Sequence, residues 1–313
     1  MIYGLINLLI SSSMEININN NIIKFNLLKS FNQIKDELRN DKSFFVTVEM
    51  EIIGDELSSS NDDLANDICL LCSLAMGCTV NWIYKKNKEI IDRNMNAITS
   101  NYYSLALIPT IEKNDVIDFL IETFDEYKKQ GYKFSYIIKA LNNAKNESDF
   151  LEIRSVAAAV AIEMLKDYYI KTVDMKKIEN SSRFDKVASR ISIALLEYYN
   201  NDNDNPKYLL YKQNIPSLNN YPFRFLINSM LDCFGMELDE CCISNIIRIR
   251  NSLIHTGEFL EEMDKKEQYF LLISKIGMMI LGILKYKGNY IDWTKLESNG
   301  SFEQKLLSKI KYK

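Results

Sequence analysis

Apolar residues recur along this chain with two different spacings, and the change between them falls near residue 113. Ahead of it the pattern is short and mixed. Residues 43–53 are rich in β-branched side chains and partly alternate, which predicts a strand. A helix is predicted over 62–76, with Asp62 or Asp63 at its N-cap and Gly77 as its stop. Residues 78–84 and 102–108 read as two further strands, the second ended by Pro109.

From Asp115 the period becomes helical and stays so. Val116, Phe119, Leu120, Phe124 and Tyr127 form one stripe, and Phe134, Ile137, Ile138 and Leu141 form the next. A long helix is predicted over 149–170, where Ala157, Ala158, Ala159 and Ala161 would let a neighbour pack closely. Apolar periodicity places further helices at 184–199, 222–234, 239–255 and 264–286, and the polar run 200–206 reads as a loop. No internal repeat of solenoid length is visible. The expected fold class is mainly α: a C-terminal antiparallel helical bundle preceded by a small mixed α+β N-terminal domain. The boundaries are drawn at 1–112 for a sensing or regulatory domain, 113–290 for the bundle and 291–313 for a tail.

Composition narrows this picture in three ways. With 47% apolar residues, four prolines and ten glycines, the 313-residue chain suits a globular protein with long helices and more than one core. A net charge of -4 excludes coating nucleic acid by bulk charge, so any such contact must be local. The abundance of Ile, Asn and Lys reads as coding bias and receives no functional weight. The apolar start lacks the basic segment of a secretory signal, and the apolar stretch 271–284 is broken by Lys275 and shorter than the ~18 residues of a membrane span. A cytoplasmic protein without membrane contact is expected. Met14 is a second candidate start, on which the first thirteen residues would lie outside the protein. Of the six cysteines, Cys69 and Cys72 have redox or zinc spacing but lie in an apolar run, so buried reduced thiols are expected. No metal site and no cofactor is predicted.

The chemistry concentrates at the single histidine, His255. With residues 240–255 on a helix at ~100° per residue, Ile243, Ile246, Ile247, Leu253 and Ile254 form an apolar stripe and Arg250 projects from its middle. A guanidinium in that setting needs a partner, because burying an unpaired charge is costly. Asn251 and His255 are i,i+4 neighbours on the flank, with Arg248 beside them. Gly257 reads as the residue after the helix end, which puts His255 in the last turn. An imidazole can serve as base or acid near neutrality. A lone histidine at a helix end is often only a cap; the apolar setting of Arg250 and the adjoining Asn251 argue for more. No phosphate-cradling glycine loop and no Ser-His-Asp triad can be singled out, which speaks against NTPase and hydrolase readings.

The run Arg250-Asn251-Ser252-Leu253-Ile254-His255-Thr256-Gly257 resembles the Arg-x4-6-His signature of HEPN-superfamily ribonucleases. More narrowly, it is similar to the ApeA-like HEPN group of prokaryotic anti-phage proteins. The stretch 149–165 supports this, since it resembles the group's first long helix with its acidic residue at Glu163. The resemblance spans residues 115–290. It implies a metal-independent endoribonuclease acting by 2′-OH attack, in anti-phage defence through abortive infection or as a toxin. Arg250, His255 and Asn251 would be catalytic, Arg248 and Thr256 would contact substrate, and Glu163 would support them. Arg250 suits phosphate through its permanent charge and bidentate fork. His255 suits proton transfer, and Asn251 would orient it or bind a phosphate oxygen.

One histidine cannot readily serve both ends of an in-line displacement. A homodimer through the Arg250/His255 helix is therefore expected, with the stripe around Arg250 as the surface it buries, and the resemblance implies the same composite cleft. The expected substrate is single-stranded or loop RNA, with tRNA among the candidates; DNA lacks the 2′-OH. An antitoxin and a phage-derived trigger are the further partners considered. The rival reading is a non-catalytic helical dimerisation or RNA-binding module in which Arg250 is an interface ion-pair residue.

Overall fold

The structure, a computed structural model, describes residues 1–18, 20–40, 45–54, 58–87, 90–94, 105–109, 115–146, 149–175, 177–296 and 306–312, apart from the side chains of 39, 40 and 58–60. The chain divides into two compact units. The first comprises Met1–Met164 with Phe234–Lys313, and the second Leu165–Cys233.

The first unit is built on a six-stranded antiparallel sheet formed by β1 (Ile2–Ile6), β2 (Met14–Ile18), β3 (Asn21–Leu27), β4 (Val46–Ile53), β5 (Asn81–Asn87) and β6 (Ile90–Arg93). The strand order is β2-β3-β4-β1-β5-β6. The β2/β3 hairpin pairs Ile18 with Asn21, and Asn20 takes φ 62°, a left-handed conformation that Asn tolerates better than most residues. Alternation along β3 buries Ile23 and Phe25 completely. The first strand is interior, paired with β4 on one side and β5 on the other, and buries Tyr3, Leu5 and Ile6. Gly4 sits opposite Tyr84, whose ring occupies the space a Cβ would need. The Met1 ammonium donates to the Ile52 carbonyl at 2.9 Å. A chain beginning at Met14 would therefore lack the strand that joins β4 to β5.

Helix α1 (Phe31–Asn40) links β3 to β4, and α2 (Ser58–Met76) links β4 to β5. The same unit holds α3 (Asp115–Gln130), α4 (Tyr132–Ala144) and the start of α5 (Leu151–Thr172). It also holds α9 (Glu240–Thr256), α10 (Lys265–Ile283) and the short pair β7 (Asn289–Ile291) and β8 (Leu307–Lys309). This corrects the expected fold class of a small mixed domain ahead of a C-terminal helical bundle. Helices do hold the larger share of the chain, but the N-terminal part is an extensive sheet and several helices share its unit. Helix α2 contacts β5 as well as α3 and α4, and α10 contacts α4 and α9. The physical reason is that a periodic stripe shows which face of a helix is buried, not what it is buried against. The stripes of α3 and α4 meet α2, which itself meets the sheet.

Two local expectations also change. The strand predicted over 102–108 is irregular backbone at 105–108, and residues 102–104 lie outside the described ones. Buried coil there is satisfied by other hydrogen bonds: Leu107 N and Ile108 N donate to Ala75 O at 2.9 and 3.1 Å, and Ala106 O accepts from Trp293 Nε1 at 3.0 Å. Helix α2 begins at Ser58, so Asp62 is interior rather than a cap, and accepts from Tyr3 Oη at 2.8 Å and Lys85 Nζ at 2.6 Å. Of the expected strand at 43–53, the structure assigns Val46–Ile53, and residues 43–44 lie outside the described ones.

All six cysteines are free, and Cys69, Cys72 and Cys78 are buried. Burial, and secondarily the neighbouring Cys78, pushes the Cys72 thiol up to about 12, which keeps it protonated. Lys145, just past α4, is only 1% exposed, its Nζ has no hydrogen-bond partner, and burial pushes its ammonium down to about 7 against a weaker opposing influence of Cys78. No helix among the described residues is long and apolar enough to cross a membrane.

The second unit contains the rest of α5 with α6 (Ser181–Tyr198), α7 (Pro206–Asn214) and α8 (Phe223–Cys233). Asn180 caps α6 by accepting from Arg183 N at 3.0 Å. Asn205 caps α7, where Pro206 takes the first position, so the Asn-Pro pair that reads as loop also starts a helix. No residue of α6 is fully buried.

A candidate active site on helix α9

Helix α9 has defined ends. The Asp239 side chain accepts from Cys242 N at 2.8 Å, and Gly257, at φ 74°, donates its N–H to Leu253 O at 3.1 Å. His255 therefore stands in the last turn, exposed. The inner face buries Cys242, Ile243, Ile246, Ile249 and Leu253. That differs from the predicted stripe: Ile249 belongs to the core, while Ile247 and Ile254 are only half-buried. Arg250 lies between those two along one flank, so the apolar surface around it is narrower than the sequence pattern suggests.

Arg250 has its partner. Its guanidinium pairs with the Glu163 carboxylate, with side-chain exposures of 15% and 23%. The height at which the two meet is fixed nine residues earlier on α5. There the Arg154 guanidinium lies over the Tyr269 ring, 4.6 Å from its centroid, and donates to Tyr269 Oη at 2.6 Å. Tyr269 Oη in turn donates to Ala144 O at 2.9 Å. Helix α5 is thus registered against α10 before Glu163 reaches α9.

Arg250 Nη1 also donates to Asn251 Oδ1 at 2.6 Å. What Asn251 holds is Arg250, not His255, although Asn251 and His255 share an exposed helix face one turn apart. Arg250, Glu163 and Asn251 are brought together, and His255 stands exposed one turn beyond Asn251. Arg248 is exposed on the same face and pairs with Glu262 from the segment after the helix. Thr256 serves the helix end: its Oγ1 donates to Ser252 O at 2.8 Å and accepts from Glu258 N at 3.2 Å. Sequence reasoning missed Glu262. Its only signal was the acidic pair Glu261-Glu262 shortly after a helix-stopping glycine, where the chain can fold back.

Chemically, the cluster offers an oriented guanidinium, a carboxamide and an exposed imidazole. Among the described residues no three His, Cys, Asp or Glu side chains come together as a metal site. No protein-family model matches the chain, and no curated protein or solved structure matches it either.

Proposed function

We propose that the chain is a metal-independent endoribonuclease of HEPN type, acting in the cytoplasm in anti-phage defence or as a toxin. The observation that carries the reading is Arg250, oriented by Glu163 and Asn251, with His255 exposed one turn beyond Asn251 on the same helix. In the reaction, the ribose 2′-oxygen attacks the adjacent phosphorus while the bond from phosphorus to the 5′-oxygen breaks. A neutral His255 takes the 2′-OH proton, and a second, protonated His255 gives its proton to the departing 5′-oxygen. The products are a 2′,3′-cyclic phosphate and a 5′-OH. Arg250 stabilises the pentacoordinate phosphorane, where charge builds beyond that of the ground state.

The two histidines come from two copies of the chain, docked through the flank of α9 where Ile247 and Ile254 border Arg250. Single-stranded or loop RNA, tRNA included, is the substrate class, and an antitoxin or phage-derived trigger is the regulator. The test is incubation of RNA with the purified protein in EDTA, followed by analysis of the ends. Cyclic-phosphate ends are expected, lost by about 10²–10⁴-fold in His255→Ala and in Arg250→Ala. Cleavage retained by His255→Ala, or strictly dependent on a metal, would sink the mechanism.

A second reading has one observation in its favour. Arg250 is already neutralised by Glu163, as a purely structural ion pair would be. On that reading the chain dimerises or binds RNA without cutting it, and the same assay returns intact RNA.

A further inference from the structure

We propose that the cleft between α2 and α4 in the first unit binds a free purine nucleotide of about diphosphate length. The cleft has a volume of about 570 Å³, within the range of small-molecule sites. Its walls carry carboxamides from three elements: Asn66 of α2, Asn81 of β5, and Asn142 and Asn143 of α4. A carboxamide offers a donor and an acceptor side by side, which is the pattern needed to read the edge of an adenine. Asn66 Oδ1 already accepts from Trp82 Nε1 at 2.8 Å, which turns its amide nitrogen toward other partners. Asn142 Oδ1 is buried and has no hydrogen-bond partner. Such an orphaned acceptor is costly, and an exocyclic amine that reaches it from the cleft relieves that cost.

The opposite end suits phosphate. The cleft is lined there by Gly131 and Tyr132, where α4 begins without a side-chain cap on its first N–H groups. Asp67, the one carboxylate lining the cleft, is occupied by Tyr127 Oη and Lys128 Nζ, each at 2.7 Å, so it offers no bare negative charge. Lys139 stands midway along α4, exposed, with its ammonium 5.4 Å from the Tyr136 ring centroid and no carboxylate partner among the described residues. Tyr132 is 72% exposed at the rim. From Tyr132 to Asn142 the helix rises about 15 Å, which is roughly the extended length of a purine nucleoside diphosphate. The base then lies against Asn142 and Asn143, and the two phosphates lie together between the Lys139 ammonium and the start of α4.

Calorimetric titration of the full chain with ADP, AMP and adenosine tests this. One saturable site for ADP is expected, with AMP weaker and adenosine weaker again. Lys139→Ala, an exposed position that leaves the fold intact, is expected to weaken ADP about tenfold, the loss of one charge-assisted contact. Asn142→Leu should weaken AMP, ADP and adenosine alike. His255→Ala should bind ADP as the wild type does, which separates this site from RNA cleavage. No ADP binding at millimolar concentration by the folded protein overturns the proposal. Adenosine binding as tightly as ADP, or unchanged affinity in Lys139→Ala, overturns it as well.

Discussion

Replacing Lys145 by methionine should stabilise the protein, and most strongly in acid. Lys145 is 1% exposed, its ammonium makes no hydrogen bond, and burial lowers it from an ordinary 10.5 to about 7. The folded state therefore binds this proton less readily than the unfolded chain does. Between the two values the unfolded chain is protonated and the native lysine is neutral, so stability falls as pH falls toward 7 and the full penalty is present below it. A shift from 10.5 to about 7 corresponds to about 5 kcal/mol near pH 6 and under about 1 kcal/mol near pH 10. Water penetration and relaxation around the ammonium reduce the upper figure, and methionine keeps the apolar stem while adding no charge. Urea unfolding of both proteins at several pH values is the assay. Lys145→Met should gain several kcal/mol near pH 6, of the order of the 5 kcal/mol bound, while the two curves converge near pH 10. Equal midpoints near pH 6, or a wild-type pH slope that survives the substitution, would refute the reasoning.

Four other outcomes are expected. Glu163→Gln removes the carboxylate from Arg250 and should cost about 1–2 kcal/mol in thermal unfolding, with loss of RNA cleavage exceeding what the lower stability explains. Gly77→Ala should destabilise by about 3 kcal/mol or more in chemical denaturation, because φ is +67° and the new Cβ would run into the Leu105 carbonyl. Deleting residues 1–13 removes the strand between β4 and β5, and circular dichroism should show loss of the sheet rather than a trimmed native spectrum. Growth inhibition in cells, compared between wild type and His255→Ala, should disappear in the variant if toxicity requires RNA cleavage.

The parts of the fold that were legible in the sequence are those where local signals and tertiary burial agree. Helix α9 is the clearest case, since Gly257 marks its end and Arg250 stands apart from its apolar neighbours, while the Asp239 cap emerged only from the structure. The stripes of α3 and α4 were equally readable, because their positions are buried as the period requires. What could not be read was partnership. The β2/β3 hairpin was hidden because its Asn and Ile residues look like coding bias, yet Asn20 supplies the positive φ and Ile23 fills the core. Residues 105–108 have strand composition, but their backbone partners lie at Ala75 and Trp293, far away in sequence. At the site, the Arg250–Asn251 contact follows from adjacency, whereas the Arg248–Glu262 pair depends on how the segment after Gly257 folds back.

The first unit is discontinuous in the chain, since residues 234–313 close what Met1–Met164 begins. Synthesis proceeds from the N-terminus and domains fold as units when they are complete, so this unit matures late. A growing chain carries Glu163 for the whole time needed to make the second unit before Arg250 emerges to meet it. An interrupted chain would expose the face of α4 that α10 covers and would lack His255 altogether. For a protein whose proposed activity endangers the cell that makes it, this order of assembly withholds the hazard until translation is nearly finished.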